Sequence, residues 1–166
     1  MPQSYRVGVR LRALEEREGR LASYIRQAPP RWLMIVAVLL TLFGAAGLFA
    51  FYGDVTMNES RLAAMSEWDR NFYAARPGWF VWVYGAAVWA GFFGAVALLL
   101  RRRVARPLYI VSLVAVIVQF GFVFLATDLI AAKGAATVVP FPIVILAVTA
   151  AGLWLSTRGI RRGWLR

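Results

Sequence analysis

The chain has 166 residues, 61% of them hydrophobic, and a formal net charge of +11 from 19 basic and 8 acidic residues. Cysteine and histidine are both absent, which excludes disulfides, thiolate metal sites and histidine-ligated haem. The basic residues flank four long apolar blocks and almost never enter them. We therefore expect these charges to lie at the surface of a lipid bilayer, and we expect no nucleic acid partner.

The first segment, residues 1–31, is polar and basic, and its apolar residues recur at steps of three and four from Val7 to Ile25. That spacing places them on one stripe of a helix. We predict a cytoplasmic amphipathic arm that lies on an anionic membrane surface or docks on a partner helix, with a solvated leader as the alternative. The cations assigned to the membrane surface are Arg6, Arg10, Arg12, Arg17 and Arg20.

The four apolar blocks are long enough to cross a bilayer, since about 20 helical residues span a hydrocarbon core of ~30 Å. Pro29 and Pro30 separate the arm from the first block, and Pro140 and Pro142 lie in the first turn of the fourth. The sequence predicts an all-α membrane protein, a bundle of four transmembrane helices within residues 32–166. The predicted spans are residues 32–52, 79–100, 108–130 and 138–156.

The arginines predict the orientation of the bundle. The arm, the loop 101–106 and the segment after the fourth span together carry 15 basic residues, and the two opposite loops carry four. Because basic loops stay on the cytoplasmic side, we predict a bacterial inner-membrane protein with both termini in the cytoplasm.

The segment 53–78 is the one sizeable loop predicted outside the cell. Thr56 and Glu59 have the spacing of a capping box, with Thr56 as the N-cap. The apolar residues that follow recur at steps of three and four, which predicts one short helix along the outer surface, ending before Pro77. These residues are Leu62, Met65, Trp68 and Phe72.

Small residues four apart mark the second span. They form two neighbouring ridges that let helix backbones approach closely in lipid. We predict packing inside the bundle, with association of two copies through one ridge as the alternative. The ridges are Ala86, Ala90 and Gly94, and Ala87, Gly91 and Ala95.

Two polar residues of the third predicted span are candidates for function, because a polar side chain in lipid is costly unless satisfied. Gln119 lies near the middle, and its structural interpretation is an interhelical hydrogen bond to one of the hydroxyls of Ser112, Thr41 or Thr149. Asp128 lies toward the outer end, where Lys133 or a loop arginine is its expected partner.

An aromatic cluster on the predicted outer side supplies the remaining binding candidates, Trp68, Tyr73 and Trp79. Such rings stack on sugars or line a lipid groove, but they also form the ordinary aromatic belt of membrane proteins. The sequence has no Gly-rich phosphate loop, no GxSxG and no metal-ligand cluster. We therefore expect neither catalysis nor a cofactor or metal.

The order of these features resembles a family of small four-helix bacterial inner-membrane proteins that often carry an automatic "sugar transporter" label. The resemblance covers roughly residues 32–166 and implies the four-helix topology. It is carried by Trp68, Tyr73, Pro77 and Trp79, by the span end Leu98-Leu99-Leu100-Arg101-Arg102, by Ser112 and Gln119, and by Gly163-Trp164-Leu165.

Two functions follow as hypotheses. A small-residue face, a basic arm and no reactive side chains favour an accessory or structural subunit that packs against other membrane proteins. The alternative is a small dimeric carrier of a sugar-like solute, because four spans are few for a monomeric carrier. Against it, no glutamate lies within a span, and the only Pro-Gln pair, Pro2-Gln3, is far from the membrane.

Overall fold

The computed structural model describes residues 14–17 and 29–166. Within these residues, four helices are long and apolar enough to cross a membrane, which confirms the predicted all-α four-helix membrane fold. The helices, in chain order, are α1 (Arg31–Val55), α2 (Glu59–Ala63), α3 (Glu67–Ala75), α4 (Gly78–Leu99), α5 (Ala105–Ala126), α6 (Leu129–Lys133), α7 (Ala135–Val138) and α8 (Pro140–Arg161).

The predicted amphipathic arm lies almost entirely outside the described residues. Residues 14–17, which include Arg17, are helical with exposed side chains. The other arginines assigned to the membrane surface, Arg6, Arg10, Arg12 and Arg20, lie outside the described part.

The four long helices pack in the order α1, α4, α5, α8. The α4–α5 interface is the most extensive, α1 packs chiefly on α4, and α8 packs chiefly on α5. Only Leu33 and Ala37 of α1 are buried, and the other residues of that helix are half-buried or exposed. Of the predicted ridges on α4, Ala87, Ala90, Gly94 and Ala95 are buried, Gly91 is half-buried and Ala86 is exposed.

The two ends of the bundle differ. The basic end contains Arg31, the loop 101–104 and residues 158–166, and the loop end contains α2, α3, α6 and α7. A hydrophobic cluster closes the basic end and joins α1, α4, α5 and α8; its largest members are Leu33, Leu98, Leu155, Trp164 and Leu165. The segment after α8 is fastened by backbone hydrogen bonds from Arg166 N to Arg101 O (2.7 Å) and from Arg103 N to Arg166 O (2.9 Å).

Two predicted span boundaries shift at the loop end. The third span was predicted to reach residue 130, but α5 ends at Ala126 and Thr127 turns to an extended conformation. The polar Thr127-Asp128 pair ends the helix, so Asp128 lies outside it. The fourth long helix begins at Pro140 and continues to Arg161, five residues beyond its predicted end.

The predicted capping box was wrong. The Thr56 hydroxyl donates to Tyr52 O (2.7 Å) and so closes the end of α1. Asn58 is the N-cap of the next helix, and its side-chain oxygen accepts from Arg61 N (3.0 Å). An Asn side chain accepts from the third residue after it as readily as a Thr does, and the overlapping Asn58 pattern prevails because Thr56 is already used.

The single outer-surface helix that the sequence predicts is divided into α2 and α3. Ser66 is the N-cap of α3, and its hydroxyl oxygen accepts from Asp69 N (3.2 Å). A new N-cap in the middle of the apolar pattern ends the first helix and begins a second one. Helix α3 ends before Pro77, as predicted.

Candidate functional site

A cavity of about 490 Å³ lies between the long helices and beneath α3. Residues of α1, α3, α4, α5 and α8 line it. On α1 the lining extends from Leu40 to Asp54, a distance of about 21 Å along the helix axis at 1.5 Å per residue. We call this cavity the chamber. Its walls are mainly apolar and aromatic, and a few polar side chains lie among them.

The chamber opens sideways between α1 and α8. Its lining residues Phe43, Ala46 and Ala50 on α1, and Phe141 on α8, are themselves exposed on the outside of the bundle. At the basic end the segment after α8 covers the start of α1, and the rings of Trp32 and Trp164 are 6.3 Å apart. Nearer the loop end α1 and α8 stay apart, so the opening lies where lipid chains would surround a membrane-embedded bundle.

Three side chains close the chamber at the loop end. Arg76 pairs with Asp54 through Nη1 and Oδ2 at 2.9 Å, and its guanidinium carbon lies 4.1 Å from the centre of the Tyr73 ring. The Tyr73 hydroxyl donates to Asp54 Oδ1. Burial and the hydrogen bond to Asp54 raise the pKa of Tyr73 to about 12, so this hydroxyl remains a donor at neutral pH. Together these contacts tie α3 to the end of α1.

The other end of α3 is fastened to the segment after α5. Trp68 Nε1 donates to Asp128 Oδ1 (2.8 Å), and Lys133 Nζ forms an ion pair with Asp69. Burial alone would raise the pKa of Asp69, but hydrogen bonds with Lys133 and Ser66 and the charge of Lys133 lower it below its ordinary value of 3.8. The predicted pairing of Asp128 with Lys133 or a loop arginine was therefore wrong, because Lys133 reaches Asp69 instead.

Five polar side chains line the chamber below this closure, all from the long helices, and the half-buried Tyr84 is one of them. The Ser112 hydroxyl donates across the α4–α5 interface to Ala87 O (2.7 Å), and the Thr149 hydroxyl donates to Ile145 O in its own helix (2.8 Å). Gln119 is 9% exposed, and its amide has no hydrogen-bond partner among the described residues. Tyr109 Oη is fully buried and also lacks a partner there.

The interhelical hydrogen bond predicted for Gln119 is not formed. The hydroxyls proposed as its partners donate to backbone carbonyls, including that of Thr41, which donates to Ala37 O (2.8 Å). Gln119 instead lines the chamber between α4 and α8. The structure thus gives this residue a place in a cavity wall and no role in joining helices.

Of the aromatic candidates, Tyr73 lines the chamber, whereas Trp68 and Trp79 do not. Trp68 stacks on Phe72 with ring centres 5.4 Å apart, and Trp79 packs edge-on against Phe122 at 5.0 Å. Both lie at the loop end as an interfacial belt would. These two residues support α3 and the loop end of the bundle.

Sequence reasoning missed three residues of the chamber: Asp54, Arg76 and Tyr109. Asp54 and Arg76 lie 22 positions apart, near the two ends of the predicted loop 53–78, and nothing in their local pattern indicates that they pair. A signal for Tyr109 was available, because it shares a helix face with Ser112, Val116 and Gln119 at steps of three, four and three.

Comparison of the chain with protein-family models, with curated proteins and with solved structures finds no match in any of the three. A function for the chain therefore has to follow from the geometry of the chamber.

Proposed function

We propose that this chain is a non-catalytic membrane protein that holds one amphipathic molecule in the chamber. The apolar part of the bound molecule would lie between α1 and α8, and the polar part of that molecule would lie beneath α3. The observation that carries the proposal is the combination of a cavity of about 490 Å³ with a side opening between two lipid-facing helices. A ligand that partitions into lipid would enter without crossing water.

The size and the lining of the chamber support binding over mere packing. Small-molecule sites in proteins have volumes of roughly 300–1,000 Å³, with apolar and aromatic walls and a few convergent polar groups. Interiors that serve only to pack leave few voids larger than a water molecule. The rings of Phe72, Tyr84, Phe92 and Phe120 give the chamber the wall expected of a site for an apolar chain or a flat ring.

An accessory role in a larger membrane assembly is compatible with ligand binding, and the packing of α1 favours it. This helix contacts chiefly α4 and leaves almost its whole outer face to its surroundings. A subunit that carries a bound lipid and presents α1 to a partner would combine both roles.

Carriage of a small polar solute, which the resemblance to proteins labelled sugar transporters suggests, is the less favoured candidate. A carrier alternates access between the two sides of the membrane. Here the cluster around Leu33 and Leu165 closes the basic end, and the lining of the chamber is too apolar for a sugar.

The native mass of the protein tests these functions together. Extracted gently from its membrane, the chain is expected to retain one molecule of lipid mass per copy in native mass spectrometry. A bound partner protein would support the accessory role. Protein that carries no small molecule, in either its single-chain or its assembled form, would contradict the proposal.

Two neighbouring alanines of α1 provide matched variants for this measurement. Both are exposed, but Ala46 lines the chamber and Ala45 does not. Ala46→Trp should fill the side opening and remove the bound molecule, whereas Ala45→Trp should leave it in place. Equal retention in both variants would mean that the retained molecule sits elsewhere on the surface.

The orientation with the basic end in the cytoplasm of a bacterial cell belongs to the same proposal and rests on the 15 basic residues that the sequence carries in the arm, in the loop 101–106 and after the fourth span. Because the chain has no cysteine, single cysteines can be introduced on a clean background. In intact cells a membrane-impermeant maleimide should label Ser60→Cys at the loop end and spare Arg102→Cys at the basic end. The opposite labelling pattern would reverse the orientation.

A further inference from the structure

The charges around the chamber cancel. Among the described residues that line it, Asp54 and Arg76 are the only charged ones, and they pair with each other at 2.9 Å. An anionic head group would have to displace Asp54 from Arg76, and a cationic one would have to displace Arg76 from Asp54. Neither exchange is favoured, because each leaves a half-buried charge without its partner.

The hydrogen-bonding groups below the ion pair are neutral. Besides Tyr109, two of them, the Tyr84 hydroxyl and the Gln119 amide, have no hydrogen-bond partner among the described residues, and Gln119 is the more deeply buried of the two. Ser112 and Thr149 already donate to backbone carbonyls. Tyr109 Oη is sealed from the cavity, with less than 1 Å² of accessible surface. Gln119 is more than nine-tenths buried, and its amide lacks a partner but keeps some surface within the chamber.

An unpaired amide in such a place costs about 1–3 kcal/mol unless something satisfies it. An amide donates through its nitrogen and accepts through its oxygen, so it can bind a hydroxyl or a carbonyl group. Because the amide is itself neutral, it gives no preference for an anionic or a cationic head group. We infer that the chamber selects an uncharged amphiphile and that Gln119 recognises a hydroxyl or carbonyl oxygen of its head group. This inference rests on the proposed function and adds to it the chemical class of the ligand.

The position of Gln119 fits a head group. It lies seven residues before the end of α5, which is about 10 Å below the loop end at 1.5 Å per residue. The exposed lining of α1 and α8 then leaves room for the chain of the ligand toward the side opening. Alternatively, a water molecule could satisfy the Gln119 amide by bridging it to neighbouring protein groups. In that case Gln119 would give the chamber no preference among ligands.

Three probes with the same hydrocarbon length separate these possibilities. They are 1-monooleoylglycerol, its phosphorylated counterpart 1-oleoyl-lysophosphatidate, and 1-octadecene, and each is titrated into delipidated full-length protein in a neutral detergent. We expect monooleoylglycerol to bind about tenfold more tightly than either of the others. Equal or tighter binding of lysophosphatidate would overturn the inference while leaving the proposed function intact. If none of the three probes binds, the proposed function fails and the inference fails with it.

Substitution at Gln119 locates the selectivity. Gln119→Leu removes the amide at similar volume, so it should weaken monooleoylglycerol binding five- to tenfold and leave octadecene binding unchanged. Asn71→Leu, which removes an exposed amide that does not line the chamber, should leave the affinities for both probes unchanged. If folded Gln119→Leu kept the selectivity of the parent, bridging water alone would occupy the position next to residue 119. Gln119→Glu checks the same point, because it should reduce monooleoylglycerol affinity similarly.

Discussion

Replacement of Gly152 with leucine is expected to lower the free energy of unfolding by about 3 kcal/mol, at the upper end of overpacking costs. A Cβ atom at this position would lie 2.3 Å from Tyr109 Cε1 and 2.4 Å from Tyr109 Cζ. The ring has little room to retreat, because its other side lies against the backbone of Gly94, where a Cβ would be 3.2 Å from Tyr109 Cδ2. Helix α8 would have to move away from α5, and it supplies one wall of the chamber.

Thermal unfolding in detergent, followed by circular dichroism, measures this effect. The matched control is Gly121→Leu, because nothing lies within 4 Å of a Cβ placed at Gly121, and that variant should unfold at or slightly above the temperature of the parent. Adding Tyr109→Ala to Gly152→Leu should recover part of the loss. The described contact between α5 and α8 would be incorrect if the two leucine variants unfolded alike.

Removal of the Asp54 carboxylate is expected to cost about 2 kcal/mol and to release α3 from the end of α1. Breaking a buried ion pair by deleting one partner costs about 3–5 kcal/mol, and a smaller value is expected here because the two side chains retain 15% and 16% exposure. In Asp54→Ala, Arg76 and the Tyr73 hydroxyl both lose their partner. The loop end of the chamber would then open to water.

The second ion pair of α3 gives the matched comparison. Asp69 and Lys133 are 33% and 32% exposed, and pairs that are this accessible contribute about 0.2–1 kcal/mol. Asp69→Ala should therefore be the milder variant in thermal unfolding, and limited proteolysis should cut near α3 faster in Asp54→Ala. Equal effects of the two substitutions would mean that Asp54 does not secure α3 in the way described.

The four spans follow from the sequence because their physical signals are local. Apolar runs of about 20 residues are bounded by Pro29-Pro30, by the arginines after Leu100 and by Pro140. The caps at the loop end were harder to predict, since Thr56, Asn58 and Ser66 each fit an N-cap pattern. Which of them is used depends on whether the hydroxyl of Thr56 is taken by the preceding helix.

The chamber could not be predicted, because a helix that is apolar on all sides gives no indication of the face it buries. Gly44 and Gly47 of α1 lie against Phe92 and Val88 of α4. The same α1 pattern does not reveal that α8 stays apart from it. The sequence indicates that the Gln119 amide would be unfavourable in lipid without a partner. Whether that amide hydrogen-bonds to a hydroxyl or lines a cavity depends on the positions of three other helices.

The central claim is that the space between α1 and α8 holds a ligand, and the structure of the protein in lipid nanodiscs tests it most directly. The account predicts elongated density for one molecule that extends from the side opening to Gln119 beneath α3, with α1 and α8 still apart. A gap closed by direct packing of α1 on α8, or one that contains only disordered lipid and never reaches Gln119, would contradict it.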